Sequence, residues 1–169
     1  EDVSPEDIAR DPFDMLAQAK PPALLVHPDR IFGEDRKNSK GFDLSDEGPL
    51  ARIETARDVS IADAGPLTLR APSGSARPVV NPATGATIAQ VTEADADCAA
   101  RAIEDAQVWD AAPAERAAIL RRAADLYEDH FGPIFAILGR EGGKALPDAV
   151  GELREAVDFL RYYAAQGQD

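Results

Sequence analysis

A carboxylate on an aromatic helix face is the strongest candidate for binding chemistry in this sequence. At about 100° per residue, Glu155 falls within about 40° of Phe159 and Tyr162 on a predicted helix. Burying a carboxylate on such a face without a partner is costly. Two interpretations therefore stay open: Glu155 faces solvent at the rim or meets a structural arginine, or it binds a cationic group of a ligand.

The cysteine and the two histidines lack the neighbours that chemistry would need. Cys98 lies near the start of an alanine-rich helix with no histidine nearby, so we expect a small buried or half-buried residue. His27 and His130 show no HxxxH or CxxC spacing, which argues against a zinc site. We interpret His130 as a cation at the end of a helix, where the helix dipole favours positive charge.

Two further patterns also fail as sites. The acidic residues of 1–15 and 43–54 do not follow an EF-hand loop and form a solvated face. Gly142-Gly143-Lys144 lacks the upstream glycine of a P-loop, and no G-x-G-x-x-G is present, so Lys144 is interpreted as a helix-end cation. The sequence therefore predicts no catalytic, cofactor-binding or metal-binding residue.

Composition narrows the class of protein. The chain has 169 residues, 44% of them hydrophobic, which is enough for one packed domain or a piece of a larger one. Its net charge of −13 argues against nucleic acid and anionic membrane surfaces as partners. One cysteine excludes an internal disulfide and suits the reducing cytoplasm. No signal-peptide pattern opens the chain, and the missing initiator Met suggests an excised or truncated segment.

The first third contains short helices and an irregular linker. Ser4 caps a first helix, with Pro5 and Asp7 completing the start signal, and Asp11-Pro12 begins a second. Pro21-Pro22 ends the second helix, and residues 23–44 lack periodicity.

The middle of the chain predicts a further helix, a boundary and a hairpin. Ser45 caps a helix through about Arg57, and residues 58–76 are rich in Gly, Pro, Ser and Ala, as domain boundaries often are. Two strand-like runs, 77–81 and 86–92, are joined by turn residues, which predicts a β-hairpin.

Helices fill the rest. Asp95 or Asp97 caps one to about Trp109, Pro113 begins another, and Gly132-Pro133 starts a third. Gly142-Gly143 ends this third helix, and Pro147 opens the last. The last helix has an apolar stripe at alternating steps of three and four: Val150, Leu153, Val157, Leu160 and Ala164.

Three motifs carry a resemblance to a known family. Glu155, Asp158, Phe159 and Arg161 form E-x-x-D-F-x-R; the turn at 81–85 reads NPATG, and 115–126 reads ERAAILRRAADL. The sequence resembles aldehyde dehydrogenases just before their nucleotide-binding core, and within them the L-glutamate γ-semialdehyde dehydrogenase branch. In that branch the Glu of this motif contacts the substrate's α-amino group. The resemblance therefore implies that Glu155 is a substrate-binding residue.

Residues 32–44 resemble the junction in bacterial proline utilisation A proteins, where a proline dehydrogenase barrel is fused to the semialdehyde dehydrogenase. The resemblance implies an interdomain linker with short helices over 1–58 and an irregular boundary over 59–76. Residues 77–169 would be an incomplete, helical first part of the NAD-binding domain. We thus expect a mainly α fold with a β-hairpin, an α+β fragment that forms the N-terminal part of the α/β aldehyde dehydrogenase fold.

The resemblance implies a proline-catabolic enzyme. Its parent oxidises proline with FAD and then glutamate semialdehyde to glutamate with NAD, and both cofactors bind outside this chain. The nucleophilic cysteine of the family also lies outside it, so the chain alone is predicted to be inactive. The implied partners are the rest of the parent polypeptide and a small-molecule substrate, in a homo-oligomer with peripheral membrane association as a further expectation.

Two alternatives stay open. The chain could begin a stand-alone aldehyde dehydrogenase for another substrate, although the 32–44 junction and Glu155 argue against this. It could instead be a non-catalytic acidic helical interaction module, although that alternative does not explain the family resemblance across 81–165.

Overall fold

The computed structural model describes residues 4–5, 9–20, 25–33, 36–72 and 74–168. Within these ranges the chain is mainly helical with one antiparallel hairpin, as predicted. The elements are α1 (Pro12–Gln18), a 3-10 turn (Pro28–Arg30), α2 (Glu47–Ala56), β1 (Ala76–Val80), β2 (Thr87–Thr92), α3 (Ala96–Glu104), α4 (Pro113–Asp129), α5 (Phe131–Arg140) and α6 (Leu146–Gln166). Among the described residues, no helix is both long and apolar enough to span a bilayer.

Aspartate side chains begin three of the helices. Asp11 accepts a hydrogen bond from the backbone N–H of Phe13 at the start of α1, and Asp95 accepts one from Cys98 at the start of α3. Each satisfies an N–H that the first helical turn leaves without a partner. Pro113 and Pro147 stand in the first turns of α4 and α6, as predicted.

The structure corrects two predicted helix boundaries. The cap of α2 is Asp46 rather than Ser45, because the Ser45 hydroxyl and N–H both donate to Asp43. The α3 helix ends at Glu104 instead of extending to about Trp109. The predicted helix start at 4–7 and the stop at 21–22 involve residues outside the described ranges.

The predicted hairpin is confirmed, with Ala76 opposite Thr92 and Val79 opposite Ala89. Its turn is held by the Asn81 side chain, which accepts from the N–H of Ala83. The irregular segment before β1 also contacts this hairpin. Ala64 donates to the Gln90 carbonyl and accepts from the N–H of Thr92, which adds a short parallel bridge along β2.

The core lies between α6 and the helices α4 and α5, with α2 against α5. The predicted α6 stripe faces this core, where Val150, Leu153, Val157 and Ala164 are buried and Leu160 is half-buried. Its other buried members are Ile53, Ala124, Phe131, Phe135 and Ala149.

Two glycines permit close approaches in this packing. At Gly132 in α5, a Cβ would overlap the carbonyl group of Ala56 at the end of α2. Gly143 has a φ of 64°, a left-handed conformation that suits glycine, directly after the residues that end α5. The predicted helix stop at Gly142-Gly143 is therefore confirmed. It redirects the chain into α6.

The irregular linker before α2 also enters the core. The Phe42 ring packs against Phe131 and Phe135, with centroid distances of 4.9 and 5.6 Å. Arg52 from α2 stands over Phe131, 4.9 Å from the ring centroid. The linker is therefore fixed to the helices directly after its polar segment at 38–40.

Candidate functional site

A shallow groove of about 350 Å³ lies along the solvent side of α6. Four of its lining residues come from α6 at helical spacing, and one comes from the linker. We call it the Glu155 groove; it is lined by Arg36, Glu155, Asp158, Phe159 and Tyr162. The structure therefore places Glu155 with the two aromatic residues that the helical spacing predicts.

Glu155 is exposed, and 51% of Phe159 and 41% of Tyr162 is accessible. Within the described ranges, no hydrogen bond or ion pair holds the Glu155 carboxylate. In this chain Glu155 therefore lies at the rim of the groove in contact with water, and its carboxylate stays hydrated. A structural arginine paired with Glu155 is not observed in the described residues, and the exposed carboxylate can accept a hydrogen bond from a ligand cation.

Arg36 provides the positive charge of the groove. Its guanidinium carbon lies 3.7 Å from the centroid of the Phe32 ring and 5.4 Å from that of Tyr162. A guanidinium over aromatic faces is attracted by their π electrons. The groove thus combines a cation, two carboxylates and two exposed rings, a set that can recognise a small charged molecule.

Beside the groove, mostly part-buried polar contacts join the linker to α4 and α6. We call these contacts the linker anchor; its members are Asn38, Ser39 and Lys40 of the linker, Asp125 and Glu128 of α4, and Arg154, Asp158 and Arg161 of α6. Both carboxylate oxygens of Asp158 accept from Ser39, one from its N–H at 2.8 Å and one from its hydroxyl at 2.7 Å. Arg154 donates to the same hydroxyl at 3.2 Å. Asp158 is therefore already engaged on its linker side.

Arg161 is the centre of the linker anchor, with only 6% of its surface exposed. It donates to both Glu128 oxygens at 3.0 and 3.1 Å, to Asp125 at 3.1 Å and to the Asn38 carbonyl at 3.2 Å. A buried guanidinium needs such partners, because removing its charge from water without them costs roughly several kcal/mol. Arg161 therefore has a structural role in this chain.

The charges of the linker anchor stabilise each other. Burial opposes ionisation of Glu128, but hydrogen bonds from Arg161 and from the Lys40 N–H outweigh it and hold the pKa of the Glu128 carboxyl below its usual range. Burial likewise works against the charge on Arg161, and the hydrogen bonds to Glu128 and Asp125 reverse this and raise its pKa. Both groups stay charged at neutral pH.

The remaining sequence candidates have structural surroundings. Cys98 is buried, as predicted. His130 stands at the C-terminus of α4 and its Nδ1 lies 2.9 Å from the Leu126 carbonyl. Lys144 follows α5 and pairs with Glu152 of α6, which is the main reason that its pKa is raised. In the described part of the chain, no cluster of His, Cys, Asp and Glu could hold a metal ion.

The described residues do not fit a dinucleotide or a flavin. Dinucleotide sites in open α/β folds lie at the carboxyl ends of parallel strands, beside a glycine-rich turn that opens a helix. The two strands described here are antiparallel, and the Gly142-Gly143 turn ends α5. Lys144 in that turn already has a carboxylate partner.

Sequence reasoning did not find the linker anchor. Asp158 and Arg161 belong to a motif that implies a role for Glu155 alone, and both residue types are usually found on the surface. Their partners Ser39 and Asn38 lie 119 and 123 residues away in the chain. The available signal was the polar, aperiodic 38–40 segment itself, because an ordered linker without periodicity must satisfy its backbone groups elsewhere.

Comparisons with known proteins agree with this geometry. Residues 69–169 match the model of the aldehyde dehydrogenase family. The bifunctional protein PutA of Salmonella typhimurium is 39% identical over 183 aligned residues, which cover 97% of this chain and 14% of that protein. The chain therefore spans about one seventh of the length of this relative.

Solved structures give the same picture. A crystal structure of a bifunctional proline utilization A (PutA) protein superposes with a TM-score of 0.66 and 30% identity, over 96% of this chain and 15% of the other. A 1-pyrroline-5-carboxylate dehydrogenase of Thermus thermophilus gives a TM-score of 0.65 over 76% of this chain and 27% of the other. At 23% identity, this second match shows a common fold alone. The mainly helical structure with its hairpin is thus a fold found in these dehydrogenases.

Proposed function

Because this chain belongs to the aldehyde dehydrogenase family, we propose that it is part of a bifunctional, proline utilisation A-type enzyme that oxidises L-glutamate γ-semialdehyde to glutamate. The alignment with the Salmonella protein supports this, because it covers the linker as well as the region that the family model matches. The crystal structure of a PutA protein also superposes on 96% of the chain. We therefore favour this function over a stand-alone dehydrogenase and over an acidic interaction module.

The proposal includes the domain division expected from the sequence. Residues 1–58 would link a proline dehydrogenase to the second enzyme, 59–76 would form the boundary, and 77–169 would begin the aldehyde dehydrogenase domain. NAD would accept the hydride from the aldehyde, and FAD would serve proline oxidation. Since the described residues fit neither group, we assign both to other parts of the complete enzyme. The same proposal takes that enzyme to be a cytoplasmic homo-oligomer.

Glu155 would bind the α-ammonium group of the substrate. The observation that carries this proposal is an exposed carboxylate that makes no hydrogen bond or ion pair among the described residues and lines the groove with Phe159 and Tyr162. A carboxylate and an ammonium form a charge-assisted hydrogen bond, which strengthens when a closed site excludes water. Glu155 would orient the substrate and take no part in the chemistry at the aldehyde carbon.

A chimeric enzyme tests the function. Residues 36–168 replace the aligned segment of the Salmonella typhimurium PutA protein, and we call the product the chimera. We expect the chimera to reduce NAD with glutamate semialdehyde and to use hexanal much less efficiently. A folded chimera that prefers hexanal, beside an active Salmonella parent, would contradict the proposed substrate. The isolated 169-residue chain should yield no NADH with either aldehyde.

A further inference from the structure

We propose that Ser39 of the linker is a positioning residue for aldehyde oxidation, which holds the turn of α6 that carries Glu155. Ser39 lies outside residues 69–169, the part of the chain that matches the aldehyde dehydrogenase family. The inference rests on the proposed function, and it adds a residue that acts through α6 and makes no contact with the substrate itself. A part of the linker would thereby serve the second enzyme directly.

Ser39 binds α6 on both sides of Glu155. Its hydroxyl donates to Asp158 at 2.7 Å and accepts from Arg154 at 3.2 Å, and its N–H donates to the second Asp158 oxygen at 2.8 Å. Arg154 directly precedes Glu155, and Asp158 follows Glu155 by one turn. Because Arg154 uses an acceptor position of the hydroxyl, the single hydroxyl proton is left for Asp158. One linker side chain therefore joins the two residues that flank Glu155.

Ser39 can act as a fixed point, because the backbone on both sides of it is held. Only 5% of Ser39 is exposed. Before it, the Asn38 carbonyl accepts from Arg161 of α6 at 3.2 Å. After it, the Lys40 N–H donates to Glu128 of α4 at 2.8 Å. Ser39 therefore has a defined position against both helices, and it can impose that position on the neighbouring turn of α6.

Glu155 depends on indirect support of this kind. It is exposed, and within the described residues no hydrogen bond or ion pair holds its carboxylate. The apolar stripe fixes the inner side of α6, where Leu153 and Val157 are buried, whereas the Ser39 hydrogen bonds act on the outer side. A small displacement of a binding group can cost much activity, so this outer contact matters for the substrate. The competing explanation is that the stripe alone sets the turn and that the Ser39 hydroxyl contributes only stability.

Two substitutions of equal shape separate these explanations. Ser39→Thr keeps the hydroxyl, whereas Ser39→Val replaces it with a methyl group, and both add the same branch at Cβ. Each is made in the chimera, and kcat and KM are measured for glutamate semialdehyde and for hexanal. Thr55→Val is the matched control, because the Thr55 hydroxyl also donates a hydrogen bond, but to the Ala51 carbonyl within α2. Urea unfolding shows whether each variant is folded.

Relative to Ser39→Thr, we expect Ser39→Val to raise KM for glutamate semialdehyde roughly 5-fold, as the loss of one hydrogen bond implies. The kcat for both aldehydes and the KM for hexanal should stay the same, because Glu155 binds the substrate and takes no part in the chemistry. Thr55→Val should change none of these values. If neither variant of Ser39 folds, Ser39→Ala is compared with the unsubstituted chimera under the same expectation.

The backbone amide NMR signals of residues 154–158 test the geometry without catalysis. They are recorded on the full 169-residue chain. Ser39→Val should shift these signals, and Ser39→Thr should leave them near their original positions, because the hydroxyl contacts are kept. The signals of α2 should stay unchanged in both variants.

Two results would overturn the inference. Equal KM values for Ser39→Thr and Ser39→Val would show that the hydroxyl does not position Glu155, and an equal loss with both aldehydes would show a role in stability alone. If the chimera prefers hexanal, the proposed function fails, and the amide signals then decide whether Ser39 holds the turn. If the chimera oxidises the semialdehyde efficiently while the two variants agree, the inference on Ser39 fails and the proposed function stands.

Discussion

The Glu155 groove and the linker anchor lie on the same helix, and they treat their charges in opposite ways. Arg161 and Asp158 have partners on the linker or α4, and Arg161 is almost fully buried. Glu155, one turn from Asp158, is exposed and has no ion pair in the described residues. A charge with buried partners contributes to folding, whereas a charge left at a groove is available to a ligand. The comparison therefore assigns structure to one region and binding to the other.

The largest effect should follow from breaking the linker anchor. Arg161→Ala would leave Glu128 buried without its guanidinium partner, and removing one partner of a buried pair typically costs about 3–5 kcal/mol. We expect the free energy of unfolding in urea to fall by that amount. Arg77→Ala is the control, because its ion pair is exposed and should contribute less than about 1 kcal/mol. Equal effects of the two changes would show that the linker anchor stabilises the chain no more than an exposed ion pair does.

The next effect should appear in the groove and in catalysis rather than in stability. In the chimera, Glu155→Ala should lower kcat/KM for glutamate semialdehyde roughly 30-fold or more, since losing one partner of a bound charge pair costs about 2–5 kcal/mol. Hexanal, which has no amino group, should be oxidised as before. Proline oxidation should also be unchanged.

Glu152→Gln supplies the control for this substitution. Glu152 is another exposed carboxylate of α6. It is paired with Lys144, which lies in the turn between α5 and α6. Its loss should leave kcat/KM for both aldehydes unchanged. Should Glu155→Ala impair both aldehydes equally, Glu155 would have a structural role and the two regions would not differ in kind.

These effects concern residues that differ in how far sequence could predict them. The hairpin, the α6 stripe and the helix starts at Pro113 and Pro147 follow from local signals, because turn residues and helical spacing act within a few positions. Glu155 was found in the same way. The α3 end was wrong because alanine propensity continues past Glu104, where the helix stops. Arg161 and Asp158 could not be assigned, because their linker partners Asn38 and Ser39 lie 123 and 119 residues away in the chain.

A pH series should show a smaller effect, again in the linker anchor. The folded state lowers the pKa of Glu128, so its contribution to stability is complete above the ordinary Glu pKa of about 4.3. It should be lost as the pH falls through the lower, folded pKa. Urea unfolding at pH 7, 5, 4 and 3 measures this for the wild type and Glu128→Gln. The difference between the two should shrink toward the acid end; a constant difference would contradict the coupling of Glu128 to Arg161.

The smallest effect is expected for Glu155 in the isolated chain, and it completes the comparison. Glu155→Gln should change the free energy of unfolding by less than about 0.5 kcal/mol, as surface substitutions usually do. The matched change, Asp158→Asn, keeps the shape but removes the charge that two Ser39 donors bind, and should cost about 1–3 kcal/mol. The two residues lie one turn apart on α6, and both substitutions change helix propensity little, because Gln resembles Glu and Asn resembles Asp on that scale. If Glu155→Gln destabilises as much as Asp158→Asn, Glu155 has a protein partner in solution and is not free for a ligand. If only Asp158→Asn destabilises, the Glu155 carboxylate contributes nothing to folding and stays available to a ligand.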